Sequence, residues 1–142
     1  MNTRDANQKV VDCFEAQGLM ATLGVQLDHV AEGEVHLSLR SRPEICQQNG
    51  YVHAGALTAL LDSACGYAAL SVAPDDCDVL TVEFKVNLLR PALADKFVAV
   101  GKVKKAGRTL TVCVGEILAT QGGQEVSIAI MQATIANLSK AR

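Results

Sequence analysis

The stretch Asn49-Gly50-Tyr51-Val52-His53-Ala54-Gly55-Ala56-Leu57-Thr58-Ala59-Leu60-Leu61-Asp62-Ser63-Ala64-Cys65-Gly66-Tyr67-Ala68-Ala69-Leu70 reads as a turn, a polar approach and a helix that is apolar on most faces. Asp62 stands in its middle. An ionised carboxylate is costly to bury unless it is paired or neutralised, so a lone aspartate in such a helix points to chemistry. The helix is expected from about His53 to about Leu70, ending before the turn at Pro74-Asp75-Asp76.

Around this helix the chain has the bulk of one domain, 1–142, large enough to bury a core without disulfides or metals. A formal net charge of -2 leaves no electrostatic footprint for nucleic acid, and none is expected as a partner. Five cysteines, an odd number with no CxxC pair and no histidine at ligand spacing, read as reduced thiols in a cytoplasmic protein with no metal site. The start, Met1-Asn2-Thr3-Arg4-Asp5, is polar and no apolar segment follows it, unlike a signal peptide. The longest apolar run, Ala54 to Ala73, contains Asp62 and several small residues, which favours a buried core helix over a membrane span.

Before the central helix, Val10, Val11 and Phe14 recur at helical spacing between Asp5 and Gln17, with Gly18 as a stop. Leu23, Val25 and Leu27, then Val35, Leu37 and Leu39, alternate on either side of Glu32-Gly33 as a strand pair. After the helix, Val79 to Leu89, Phe97 to Val103, Thr109 to Leu118 and Val126 to Ile135 alternate as four more strands. A helix apolar on most faces needs cover on several sides. The expected architecture is therefore α+β, an antiparallel sheet of sequence-adjacent hairpins wrapped around the central helix.

Two motifs resemble the PaaI-like group of hotdog-fold acyl-CoA thioesterases. The segment Asn49 to Gly55, with Asp62 nine positions after His53, is similar to that family's HGG followed by an acid on the central helix. Thr81-Val82-Glu83-Phe84-Lys85-Val86-Asn87-Leu88-Leu89-Arg90-Pro91-Ala92 resembles its long strand ending in a basic or polar residue, proline and a small residue. The likeness covers about Leu23 to Leu138, with the elements in the same order. It implies a hotdog fold and hydrolysis of an acyl-CoA thioester without metal or redox cofactor, coenzyme A being part of the substrate. Asp62 is then general base or nucleophile, and the helix-start amides of Ala54 and Gly55 form the oxyanion hole. Ala54 stands where the family has the first glycine of HGG; alanine keeps the N–H and adds a Cβ. By the same resemblance His53 shapes the oxyanion end, or makes a structural hydrogen bond. Asn49 or Gln48 positions water or the thioester, or Asn49-Gly50 is simply a turn. Thr81 is a candidate to position water near the acid, while Ser63 reads as packing.

Spacing then bears on assembly. If Ala54 opens the helix, Asp62 lies eight residues on, about 12 Å away at ~1.5 Å rise per residue. Base and oxyanion donor must each lie within ~3 Å of their reacting atoms, so one helix cannot supply both. A homodimer with two sites across its interface is expected, and the resemblance extends this to a dimer of dimers. Arg90, Lys104, Lys105 and Arg108 are candidates for the coenzyme A phosphates, or are solvated turn charges. Three Phe, two Tyr and no Trp favour aliphatic over aromatic acyl groups. Two other readings stand beside hydrolysis. A non-catalytic hotdog module could bind acyl-CoA as a sensor, and a hydratase would need a paired histidine and acid at a spacing unlike His53 to Asp62.

Overall fold

The computed structural model describes residues 3–140; Met1 and Asn2, part of the polar start, lie outside them. Helix α1 (Thr3–Ala16) leads into a short α2 (Gly18–Leu23), then strands β1 (Gln26–Ala31) and β2 (Glu34–Arg40). The central helix α3 (Ala54–Val72) follows, and four strands complete the chain: β3 (Cys77–Leu88), β4 (Lys96–Ala106), β5 (Leu110–Gln121) and β6 (Gln124–Ser139). All ladders are antiparallel in one sheet ordered β1-β2-β4-β5-β6-β3. This is the hotdog arrangement, the sheet wrapped around α3.

Two expectations are corrected. The first strand does not begin at Leu23, because Gly18 to Leu23 forms α2, buries Met20 and ends on Gly24 in the left-handed region at φ 74°. Nor is the sheet built only from sequential hairpins: β3 pairs with β6 at the far edge, not with β4. Alternation specifies which side chains share a face, but not which strand lies alongside. The segment after β3 returns across the end of the sheet, where Ala92 O accepts from Val52 N at 3.0 Å and Asp95 O from Ser41 N at 2.9 Å.

By length and composition α3 could cross a membrane, yet Leu57, Leu60, Leu61, Ala64 and Cys65 are buried against the protein's own sheet. The helix presses closest where Gly101 of β4 and Gly115 of β5 lie opposite each other. A Cβ at Gly101 would collide with the Ala64 carbonyl, and one at Gly115 would come 3.0 Å from Cys65 Sγ and from Leu61 Cδ2. All five cysteines are unpaired; Cys65, Cys77 and Cys113 are buried.

Candidate active site

The start of α3 is capped by the residue before it. His53 is extended (φ -60°, ψ 137°) and its Nδ1 accepts from Gly55 N–H at 2.7 Å. Its carbonyl accepts from Ala56 N at 3.0 Å and Leu57 N at 3.3 Å. The Leu57 bond is the first ordinary helical one; with His53 N–H donating to Ile45 O at 2.9 Å, three of the four amides that a helix start leaves open, those of His53, Gly55 and Ala56, are engaged. Ala54 N–H has no acceptor among the described residues. Of the two expected oxyanion donors, the Gly55 amide is engaged by the His53 cap and the Ala54 amide is open. Among the described residues none other than glycine has positive φ, so Ala54 sits without strain where the family has glycine. Gly55 is a matter of space, because a Cβ there would come 2.9 Å from the capping Nδ1.

Asp62 lies two turns along α3, half-buried, and accepts from Thr81 Oγ1 at 2.7 Å. Thr81 is on the edge strand β3, just before a bulge that falls between Thr81 and Glu83. Bulges commonly re-aim side chains beside active sites. Thr81 therefore meets the acid as expected, but its one hydroxyl proton is spent on the carboxylate and not on a water.

Asn49 lies in an exposed turn closed by Gln47 N to Tyr51 O at 2.8 Å and Gly50 N to Gln47 O at 3.1 Å. Its backbone N–H donates to Gln47 Oε1, and its side chain has no hydrogen-bond partner among the described residues. A cavity of about 580 Å³ beside this turn is lined by Arg42, Cys46, Gln47, Gln48, Leu93 and Asp95. A second cavity, about 920 Å³, has Val100, Lys102, Val114, Glu116 and Gln132 in its wall and includes none of His53, Ala54, Asp62 or Thr81. The chemistry-bearing residues lie elsewhere.

Within one protomer the basic candidates do not meet. Arg90 follows the end of β3, whereas Lys104, Lys105 and Arg108 flank the β4–β5 turn. That turn is held at the opposite end of the sheet by Asn137 Nδ2, which donates to Gly107 O at 3.2 Å and Arg108 O at 3.1 Å. Asn137 is the register partner of Val79, near the start of β3. Among the described residues no three His, Cys, Asp or Glu side chains converge as metal ligands.

One network had no sequence signal beyond a polar residue before a glycine. Ser63 Oγ donates to Gln17 Oε1 at 3.4 Å, and Gln17 Nε2 donates to the Tyr67 hydroxyl, locking the α1–α2 junction to α3. Ser63 is thus structural, in line with its reading as packing.

The profile of the thioesterase superfamily matches residues 49–126, the span that holds the His53 cap, Asp62 and Thr81. The chain belongs to the thioesterase superfamily. Thioester hydrolysis is accordingly its class of reaction. It is 46% identical to a thioesterase family protein from Silicibacter pomeroyi of known structure, covering 94% of this chain and 98% of that one, with a TM-score of 0.92. A protein from Halobacterium salinarum, provisionally named an esterase, is 30% identical over 113 residues, 76% of this chain and 74% of that one. The E. coli PaaI protein from the phenylacetic acid degradation operon superposes with a TM-score of 0.87 over 98% of this chain and 97% of its own. At 20% identity that likeness concerns the hotdog fold alone.

Proposed function

We propose that this thioesterase hydrolyses an acyl-CoA to the free acid and coenzyme A, at two equivalent sites built across a homodimer. The observation that carries the reading is Asp62 held by Thr81 on an edge strand that has no neighbour on its outer side. Strand β3 is 12 residues long, and Leu80, Val82 and Phe84 on it are 59%, 60% and 45% exposed. A long apolar edge with open backbone groups is a template for another strand. A second copy is the occupant that would also complete the chemistry.

Pairing of two β3 edges about a two-fold axis is antiparallel, so the start of one strand meets the end of the other. Thr81 and Asp62 belong to the start. The end runs on to Ala92, which is bonded to Val52, two residues before Ala54. Asp62 of one protomer is thereby brought towards the partner's Ala54, resolving the separation of about 12 Å along a single helix. The same pairing carries the partner's Arg90 towards Lys104, Lys105 and Arg108, where a phosphate-bearing tail could be held by both chains.

In such a site the thioester oxygen accepts from Ala54 N–H, and the helix dipole favours the negative charge that develops there. Asp62 either takes a proton from the attacking water or attacks the carbonyl itself to give an anhydride that water opens. In both routes the C–S bond breaks, sulfur leaves as thiolate and recovers a proton, and oxygen from water ends in the acid.

The test is thiol release from a panel of acyl-CoAs by wild type and Asp62→Asn. Loss of ~10²-fold or more in turnover with acyl-CoA binding retained is expected. Unchanged turnover in the variant would refute the role of Asp62, and binding without turnover in the wild type would favour a sensor.

A further inference from the structure

We propose that His29 and His36 form a two-histidine site for a transition-metal dication such as Zn²⁺ or Cu²⁺ on the outer face of the β1–β2 hairpin, with Glu34 orienting one of the two ligands. The histidines are register partners across the ladder between an edge strand and its one neighbour in the sheet. Val35 and Leu37 on β2 are buried in the core, so His36 between them faces outward. The ring centres of His29 and His36 lie 4.8 Å apart, with the planes tilted by 50°.

One ion needs a separation of this size. With metal–nitrogen bonds of ~2.0–2.1 Å a ring centre sits about 3.2 Å from the ion, so two imidazoles on it have centres about 4.5 Å apart at a right angle and about 5.2 Å apart at the tetrahedral angle. The observed separation falls between the two. The nitrogens are available as well. His36 Nε2 lies 2.7 Å from Glu34 Oε1, and a carboxylate only accepts, so in the neutral ring Nε2 carries the proton and Nδ1 keeps its lone pair. His36 Nδ1 and both ring nitrogens of His29 have no hydrogen-bond partner among the described residues.

A metal-bound histidine nearly always donates its second N–H to a carboxylate, carbonyl or water, which fixes the tautomer and raises the basicity of the ligating nitrogen. Glu34 already stands in that role, its other oxygen facing Lys102 Nζ at 3.9 Å. Imidazole selects Zn²⁺, Cu²⁺ and Ni²⁺ over Mg²⁺ and Ca²⁺. Water completes the coordination, since among the described residues no third side chain converges there. The hairpin lies at the opposite edge of the sheet from β3, which carries Thr81 and with it the bond to Asp62. A bound ion therefore fastens β1 to the sheet without entering the thioester chemistry.

The test is calorimetric titration of untagged protein with ZnCl2 and, separately, CuCl2, comparing wild type, His29→Ala, His36→Ala and Glu34→Ala. Wild type should bind one ion per chain. Each histidine variant should lose at least tenfold in affinity, and Glu34→Ala about 10- to 100-fold. Electron paramagnetic resonance of the Cu²⁺ complex should show two nitrogen ligands in wild type and one in either histidine variant. Saturating Zn²⁺ should raise the Tm of wild type and leave that of the histidine variants unmoved, while MgCl2 moves neither; unfolding without metal establishes that each variant is folded. Absence of binding by wild type at about 1 mM Zn²⁺ and Cu²⁺ would overturn the proposal. So would equal affinity in wild type and both histidine variants, which would place the ion on half-buried Cys13 or Cys46. Two ions per chain, one lost with each histidine, would overturn it too, because the imidazoles would then act singly.

Discussion

Replacing Ala54 with proline should remove one hydrogen-bond donor while leaving the helix in place. Ala54 is the first residue of α3, the position at which proline is best tolerated because its N–H is not used by the helix. The residue before a proline is pushed towards extended backbone, and His53 is already there at φ -60°, ψ 137°. The cap is retained, since Gly55 N–H to His53 Nδ1 at 2.7 Å and the two amides on the His53 carbonyl do not involve Ala54 N. The single unspent amide is lost. Removal of one oxyanion donor costs about 2.7–4 kcal/mol of transition-state stabilisation, or about 10²–10³ in kcat. The assay is kcat by thiol release, with circular dichroism and thermal unfolding to establish that the fold survives. Mixing Ala54→Pro with Asp62→Asn adds a test of the composite site. A mixed dimer contains one site with both substitutions and one with neither, so random re-pairing should restore about a quarter of wild-type activity. A folded Ala54→Pro with kcat within threefold of wild type would refute the assignment of the oxyanion donor. Failure of the mixture to regain activity, with exchange of subunits demonstrated, would refute the shared site.

Thr81→Val should lower kcat by roughly 10- to 100-fold with little change in KM, since a hydrogen bond to a charged group is worth about 1.5–3 kcal/mol, and Thr81→Ser should recover most of it. A serine variant as poor as the valine one would assign Thr81 to packing. Val82→Lys places a charge on the open edge of β3 and should give a folded monomer in sedimentation velocity with turnover lost, whereas a fully active monomer would sink the composite site. Cysteine labelling in the folded state should modify half-buried Cys46 first and spare Cys113, whose thiol burial pushes up to about 12, and Cys65, which burial also pushes up; both should label on unfolding. The His36 imidazole, 2.7 Å from Glu34, holds that carboxyl below its usual range, so its stabilising contribution exists above about pH 4.3 and is lost as pH falls through the lower folded value. Glu34→Gln should therefore show a flatter acid limb of unfolding free energy against pH.

Much of the frame was legible in the sequence because its signals are local. The apolar run with one aspartate identifies α3 to within two residues at each end, and Val35, Leu37 and Leu39 alternate as they do in the buried face of β2. Six residues of α2 are too few to show a period, so they merged with the strand that follows. The position of β3 at the far edge depends on the return of residues 89–95 over the end of the sheet, which no alternation encodes. The site was legible as residue types and not as bonds. His53 and Gly55 stand close together in the sequence at the helix start, but that the imidazole consumes the Gly55 amide depends on a backbone turn. Gln17 gave no signal because its partners, Ser63 and Tyr67, are 46 and 50 residues away.

The capping of α3 also bears on why the proposed site draws its two halves from different chains. A free helix start offers several amides and a diffuse positive field; with three of the four engaged, one directional donor remains. On the same rigid helix, Asp62 is fixed about 12 Å further along, so no movement within the protomer can close the gap. The acid is anchored to the unpaired edge strand by Thr81, and the helix start is anchored through Val52 to the segment leaving that strand. Both halves are thus tied to opposite ends of one strand, and in the proposed dimer the register in which two such strands pair would fix their mutual distance. A shift of that register by one residue would move the partner's Ala54 by about 3.3 Å relative to Asp62 and reverse the face it approaches, a displacement as large as the whole tolerance of a hydrogen bond. In the proposed dimer the exposed Leu80, Val82 and Phe84 on β3 would bear on catalysis as well as on association, because the side chains that select the register would also select the geometry of the reaction.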